Sequence, residues 1–378
     1  MELRRLKAED YDSLLNLLNK VFSIKNQRQV DFEKDLPKMW ARNDEQMGKH
    51  FGVFEDGKLV SALGVYPLPT IIDGEEFMFS TVGNIATDKE YEGKGYMSQL
   101  IDVAMQELKD IKADVSRLGG LRKRYNRYGY ETCGKDYGCS LSTHNRQNSK
   151  FHFDNLTFTA IEKNDKEALS FVKEICYKRA IIAKREDNEI YDCLTAWQNK
   201  PYLALKNGVP FGYVSVSAAG NSVAEYGCID EEQEFELLLG YQQWLGNTIN
   251  FIVPSYNLIT LRKAYEDCES VRASSPCHFK IINWQKLISA LMRLRAKHRP
   301  FNNGELTFSI EDYGGIRLWA KDGAFGCERV EEQGKKLDVL TATRILFGVS
   351  DASCIIENGE EFEKFCPLPL SWSLQDRV

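Results

Sequence analysis

Thr87-Asp88-Lys89-Glu90-Tyr91-Glu92-Gly93-Lys94-Gly95-Tyr96-Met97 joins two unlike stretches of chain. Before it, Thr81-Val82-Gly83-Asn84-Ile85-Ala86 is a short apolar run that reads as a strand. After it, Met97, Leu100, Ile101, Ala104, Leu108 and Ile111 recur at helical spacing. A glycine-containing loop therefore leaves a strand and opens a helix. The first N–H groups of a helix have no intrahelical acceptor, and with the helix dipole they form an anion site. Glycine lets a phosphate approach the backbone closely. The pattern predicts pyrophosphate binding along Tyr91, Glu92, Gly93, Lys94, Gly95, Tyr96 and Met97, with an ordinary turn as the alternative. It is not a dinucleotide fingerprint, because the glycines follow several strands and a third glycine is absent. It is not a Walker loop, because no Gly-Lys-Ser/Thr follows.

The flanks give the order of elements. Tyr11, Leu14, Leu15, Leu18, Val21 and Phe22 mark an early helix. Strands at 50–54 and 59–66 flank Glu55-Asp56-Gly57-Lys58, and Asp73-Gly74 turns the chain between 71–72 and 77–79. Beyond the loop and its helix come a strand at 113–118 and a short helix around 121–128 ended by Gly129. A final strand follows.

This order resembles the Gcn5-related N-acetyltransferases. Their phosphate loop, Q/R-x-x-G-x-G/A, is matched by Glu90-Tyr91-Glu92-Gly93-Lys94-Gly95 except at its first position. Their Y-x-(K/R)-x-G-F/Y segment is matched by Tyr125-Asn126-Arg127-Tyr128-Gly129-Tyr130. The resemblance implies acetyl-CoA as co-substrate and an amine acceptor. It also implies direct transfer in a ternary complex, with Tyr125 as proton donor to the departing thiolate. Gly83, Asn84, Ile85 and Ala86 would lie along the pantetheine arm. Glu90 weakens side-chain help for the phosphates but leaves the backbone cradle intact. Arg117, Arg122, Lys123, Arg124 and Arg127 either compensate for it or form a solvated face.

A similar order restarts after the polar segment 145–150. Strands at 156–161, 202–206, 211–217 and 222–229 precede a helix through Phe235, Leu238, Leu239 and Tyr241 and a strand at 249–253. A helix is expected at 168–183. The loop of this second unit, Asp230-Glu231-Glu232-Gln233-Glu234, has no glycine and would repel a pyrophosphate. From about Asn283 a third pattern begins: a helix at 284–292, strands at 306–310, 316–320 and 324–330, and a helix at 341–347. The expected fold class is α+β, with two tandem acetyltransferase-like folds followed by a sterol-carrier-like domain. The expected domains are 1–147, 148–282 and 283–378. That architecture resembles the acetyltransferase family named for enhanced intracellular survival, which implies trimers or hexamers. It also implies a catalytic α-carboxylate at the last residue, Val378. The apolar terminus from Phe365 through Trp372 is expected to pack rather than fray.

Composition sets the remaining limits. The chain has 378 residues and a formal net charge of −6, a poor balance for a nucleic-acid binder. Glu75, Glu76, Asp88, Glu90 and Glu92 would favour a cationic amine or simply solubilise the surface. The ten cysteines contain no C-x-x-C and no zinc-ligand spacing, so reduced thiols and no metal are expected. His50, His144, His152, His278 and His298 lie in no motif, and Trp40 and Phe22 are candidate pocket walls. The N-terminus has no signal-peptide core and no run approaches a membrane span, so a cytoplasmic location is expected. A non-catalytic binding protein on a degenerate fold is the competing reading, motivated by Glu90 and the altered second loop.

Overall fold

The computed structural model describes residues 1–376. Its strands, in chain order, begin with β1 (Glu2–Arg5), β2 (His50–Glu55), β3 (Lys58–Ile72), β4 (Glu75–Thr87), β5 (Val115–Leu118) and β6 (Glu131–Cys133). Next come β7 (Asp136–Leu141), β8 (Leu156–Ala160), β9 (Ile181–Ala183), β10 (Lys200–Lys206), β11 (Val209–Val216), β12 (Ser222–Cys228), β13 (Ile249–Pro254), β14 (Ser270–Ser274) and β15 (Cys277–Ile281). The last four are β16 (Gly304–Ile310), β17 (Gly314–Lys321), β18 (Ala324–Val330) and β19 (Lys335–Leu337).

They form three sheets. The first has the order β1-β2-β3-β4-β5-β15-β6, with β9 also paired to β3. The second runs β14-β7-β13-β12-β11-β10-β8, and the third β18-β17-β16-β19. The first two sheets exchange strands across the chain divisions at 147/148 and 282/283. β7 leaves the first unit to lie between β14 and β13, and β15 returns to lie between β5 and β6.

The first sheet buries both faces. The helix Tyr11–Asn26 sends Leu14, Leu15 and Leu18 onto one face with Ala62 and Tyr66. The helix Tyr96–Asp110 sends Leu100, Ile101, Ala104 and Leu108 onto the other with Leu63 and Val65. The period-two alternation along β3 supplies both sets. Two expectations change here. The runs at 59–66 and 71–72 are one strand, β3, and those at 77–79 and 81–86 are one strand, β4. Pro67 and Pro69 do not interrupt β3, because their missing N–H groups face the side that β2 no longer covers. The helix expected over 168–183 ends at Cys176, and Ile181–Ala183 instead pairs with Thr70–Ile72. Burial of the β-branched Ile181 and Ile182 against the first sheet outweighs local helix continuation.

The third unit has its helices Trp284–Ala296 and Val339–Phe347 and three of its strands near the expected places, and a fourth, unexpected strand, β19, pairs with β16. Its core continues into the first sheet through Phe77, Phe79, Phe279 and Trp372. The terminus packs: Leu368 and Leu370 are fully buried, and Trp372 stacks on Phe79 with ring centroids 4.8 Å apart.

Candidate active site

β4 and β5 pair in parallel only from Phe79 to Thr81 with Val115 to Arg117. Beyond that, β4 runs on to Thr87 without β5 on that edge, so the two strands open a cleft. β4 is also bulged within this free stretch. Ala86 pairs with Ala62 and Gly83 with Gly64, leaving Asn84 and Ile85 opposite the single residue Leu63. Asn84 takes a left-handed backbone, with φ 53°. A bulge of this kind turns backbone groups out of the ladder and re-aims a side chain.

A buried hydrogen-bond chain holds the bulge. Asn84 Nδ2 donates to the Tyr66 hydroxyl at 2.6 Å, and that hydroxyl lies 2.8 Å from His50 Nε2. His50 Nδ1 lies 3.3 Å from the Met47 carbonyl. An Nδ1–H donated to Met47 leaves Nε2 to accept from Tyr66, and Tyr66 oxygen to accept from Asn84. Burial lowers the His50 pKa to about 4, so the ring is neutral near pH 7. Gly64 makes room for the phenol: a Cβ there would lie 2.1 Å from the Tyr66 oxygen. Trp40 stacks on His50 at 5.6 Å and Phe22 packs edge-on to Phe32, so both of these candidate pocket walls belong to the core beside the cleft. His50, in no motif, supports the site through Tyr66. Sequence reading missed this because His50, Tyr66 and Asn84 lie on three different strands.

The glycine loop sits at the mouth of the cleft. Gly93 and Gly95 have φ of 81° and 82°, and a Cβ on either would meet nothing within 4 Å. Gly95 caps the helix Tyr96–Asp110. Glu92, Gly93, Lys94 and Gly95 are exposed, whereas the Tyr96 side chain is core and Met97 half-buried, so these two offer the loop only their backbone. Tyr91 lies under the Lys94 and Lys58 ammonium groups, and Lys94 also pairs with Glu55 at 2.9 Å. Of the five basic residues, Arg127 reaches the first turn of the helix through Ser98 at 3.0 Å. Arg122 is committed to buried Glu131, and Arg117 lies 5.2 Å over the Trp372 ring. Among the acidic residues, Glu75, Glu76 and Asp88 are paired with Arg293, Lys184 and Lys20. Only Glu90 and Glu92 of that set keep an acidic surface here.

Tyr125 lies on the helix Arg122–Asn126 and is 5% exposed. It packs with Val82, Leu118 and Tyr96, with Ile85 and Met97 at the edge of the same cluster. Gly120, at φ 130°, gives the ring its place, since a Cβ there would lie 2.8 Å from it. Burial raises the Tyr125 pKa above the ordinary phenol value.

The terminus approaches from the second unit. Arg185, fully buried, binds Glu225 at 2.7 Å and Asp376 at 2.8 Å. Gln375 donates to the Leu194 carbonyl at 2.8 Å, and Lys38 of the first unit donates to the Gln375 carbonyl. Burial lowers the Lys38 pKa. Lys38 is a second residue that sequence reading passed over. Val378, the expected carboxylate, lies outside the described residues.

In the second unit the loop before the helix Glu234–Leu245 is a 3₁₀ turn with no glycine. Asp230 accepts from the Glu232 N–H at 3.0 Å, so the turn is capped by its own carboxylate. Among the described residues no three His, Cys, Asp or Glu side chains converge as metal ligands. The ten cysteines are unbridged, and all but Cys268, Cys277 and Cys354 are buried. Within the same residues no helix is long and apolar enough to cross a membrane.

Residues 2–133 match the family model of an acetyltransferase (GNAT) domain. The whole chain is similar in fold to several solved structures. One is a GCN5-related N-acetyltransferase of Anabaena variabilis ATCC 29413, with TM-score 0.66 and 14% identity over 98% of each chain. Another is Eis1 of Mycobacterium abscessus, with TM-score 0.65 and 12% identity, covering 99% of this chain and 98% of that one. A third is a candidate N-acyltransferase of Enterococcus faecalis V583, with TM-score 0.65 and 17% identity over 96% and 95%. At these identities the likeness is one of fold, and it agrees with a mixed α/β chain built from tandem acetyltransferase-like folds. No curated protein matches the sequence.

Proposed function

We propose that the protein is an acetyl-CoA-dependent N-acetyltransferase that acetylates an amine by direct transfer. The observation that carries the reading is one cleft holding three features: the opened β4 edge, its bulge at Asn84, and the Gly93–Gly95 loop at a helix start. The free edge of β4 would pair with the pantetheine amides along Gly83–Ala86. Backbone N–H groups from Gly93 to Met97 would take the pyrophosphate, so a chain of net charge −6 needs no basic field to hold an anion.

In the transfer step the amine nitrogen attacks the thioester carbon, and a backbone N–H at the bulge stabilises the oxyanion. The tetrahedral adduct collapses with cleavage of the C–S bond. Tyr125 gives its proton to the departing sulfur; its raised pKa keeps it protonated at neutral pH. The Val378 α-carboxylate accepts the amine proton, directly or through water. An ordinary α-carboxyl pKa of ~3.5 makes it a weak base for an ammonium, so the amine must arrive neutral or be desolvated. The third unit is read as sterol-carrier-like and the assembly as a trimer or hexamer, tested by mass in solution.

Calorimetry with acetyl-CoA is the first test of the whole reading. The expected result is saturable binding at one site per chain, followed by acetyl transfer in a screen of amines. No binding at ~1 mM ligand, that is, any affinity weaker than about 4 kcal/mol, would favour the non-catalytic reading instead.

A further inference from the structure

The second sheet contains its own opened cleft. β12 and β13 pair in parallel only at Ser222–Val223 with Asn250–Phe251, then diverge. The gap is a cavity of about 250 Å³. Ile175, Ile229, Ile252 and Trp372 line it with apolar surface, and Glu231 and Glu234 stand at the helix-start end, where the first unit has its glycine loop. The cavity has thus kept its place in the fold while the charge at its phosphate end is reversed.

A charge account shows what it would take. Arg179 faces the cavity, pairs with Glu225 3.3 Å away and donates to the Tyr213 hydroxyl at 2.8 Å and to the Tyr226 carbonyl, so it reaches Glu234 only through space. Glu225 is neutralised by Arg179 and Arg185 together. Lys178 pairs with Glu174 at 3.0 Å, and Asp136 accepts from Ser371 Oγ at 2.5 Å. Asp230 caps its own turn. Glu231 is exposed at the mouth. Glu234 is 9% exposed and receives only neutral donors, Asn257 Nδ2 at 2.6 Å and Thr260 Oγ1 at 3.4 Å. Among the described residues no cation forms an ion pair with Glu231 or Glu234. Burial, with Glu231 nearby, pushes the Glu234 carboxyl up to about 7 against the more distant pull of Arg179. A cation brought into the cavity would supply the missing charge, and the isoleucines and Trp372 would cover an apolar body.

We infer that the cleft between β12 and β13 is a second binding site, for a small organic cation: a primary amine on a compact apolar body, with its ammonium at Glu234 and Glu231. The site is separate from the β4–β5 cleft. Ser371, Trp372 and Ser373 border it, so an occupant rests on the same tail whose Trp372 stacks on Phe79 of the first sheet.

The test uses the full-length protein without acetyl-CoA at pH 8, with phenethylamine as the probe. Its neutral analogue 2-phenylethanol and the anionic 3-phenylpropionate serve as comparisons. Saturable amine binding at least about tenfold tighter than either comparison is expected, a difference of about 1.4 kcal/mol. Glu234→Gln and Glu231→Lys should each weaken it by about tenfold, and Ala224→Phe should abolish it by filling the cavity. Glu231 is exposed, so Glu231→Lys carries the test even if a buried variant unfolds. No saturable amine binding, or equal binding of amine and alcohol, overturns the proposal. Amine binding untouched by Glu231→Lys would place the amine elsewhere and overturn it too. None of these outcomes depends on whether the first cleft transfers acetyl groups.

Discussion

Single side chains in the first cleft divide into those that would touch the reaction and those that hold others in place. Tyr125 belongs to the first kind. Tyr125→Phe keeps the ring in its pocket against Gly120 and removes only the hydroxyl. Turnover should fall by about a hundredfold, within the usual range for general acid catalysis, with acetyl-CoA affinity unchanged. A matched loss of affinity would assign Tyr125 to cofactor binding instead. His50 belongs to the second kind, acting through Tyr66 on Asn84. Its folded pKa of about 4 lies below the ordinary value, so an unfolded chain takes up the proton first as pH falls. The stability it contributes is complete above pH ~6.5 and is lost as pH falls toward ~4. Urea melts at pH 7 and pH 5 should differ by about 2 kcal/mol more in the wild type than in His50→Asn. The Tyr125 motif was readable from spacing along the chain. The His50–Tyr66–Asn84 chain was not, because it runs across strands, where contact depends on register and not on sequence distance.

Among the elements, the glycine loop is the one whose backbone geometry was legible at once. Positive φ at Gly93 and Gly95 is what the glycines were there to permit, and the open space over both is where a phosphate would approach. Gly95→Val places a β-branched residue in a left-handed conformation, at a strain of about 1–2 kcal/mol. The added side chain meets no protein atom within 4 Å at its Cβ, so the fold should survive while acetyl-CoA affinity drops at least tenfold. Calorimetry with a parallel thermal melt checks both halves; unchanged affinity would remove the loop from the phosphate site. Other elements were misjudged in length. β3 and β4 each run on through what were expected as separate, shorter runs. Ile181–Ala183 became a strand because β3 had an uncovered edge to offer. Local composition carries no record of which edge is free.

At the level of the molecule, the tail ties the three units together. Trp372 lies between the first and third cores, and Asp376 pairs in the second with Arg185, which also binds Glu225. Arg185→Met would leave buried Glu225 with Arg179 as its remaining ion-pair partner and take from buried Asp376 its own, with Lys38 the cation beside the tail. Removing one partner of a buried pair costs about 3–5 kcal/mol, and Arg179 should hold the loss near ~3 kcal/mol. Deleting Val378 should do the opposite: leave the urea midpoint in place and cut turnover sharply. The pair of variants separates a structural tail from a catalytic terminus, and unchanged turnover without Val378 would remove its carboxylate from the mechanism.

Patterns carried along the chain were enough for the fold class, the loop, the Tyr125 segment, the loss of glycine in the second unit and the packing of an apolar terminus. Each depends on periodicity, turn chemistry or residue type within a few positions. The exchange of β7 and β15, the bulge at Asn84, the pairing of Glu75, Glu76 and Asp88 and the cavity between β12 and β13 depend on which distant segments meet. Long-range pairing is a competition among free edges and buried charges, and its outcome exists only once the sheets have assembled.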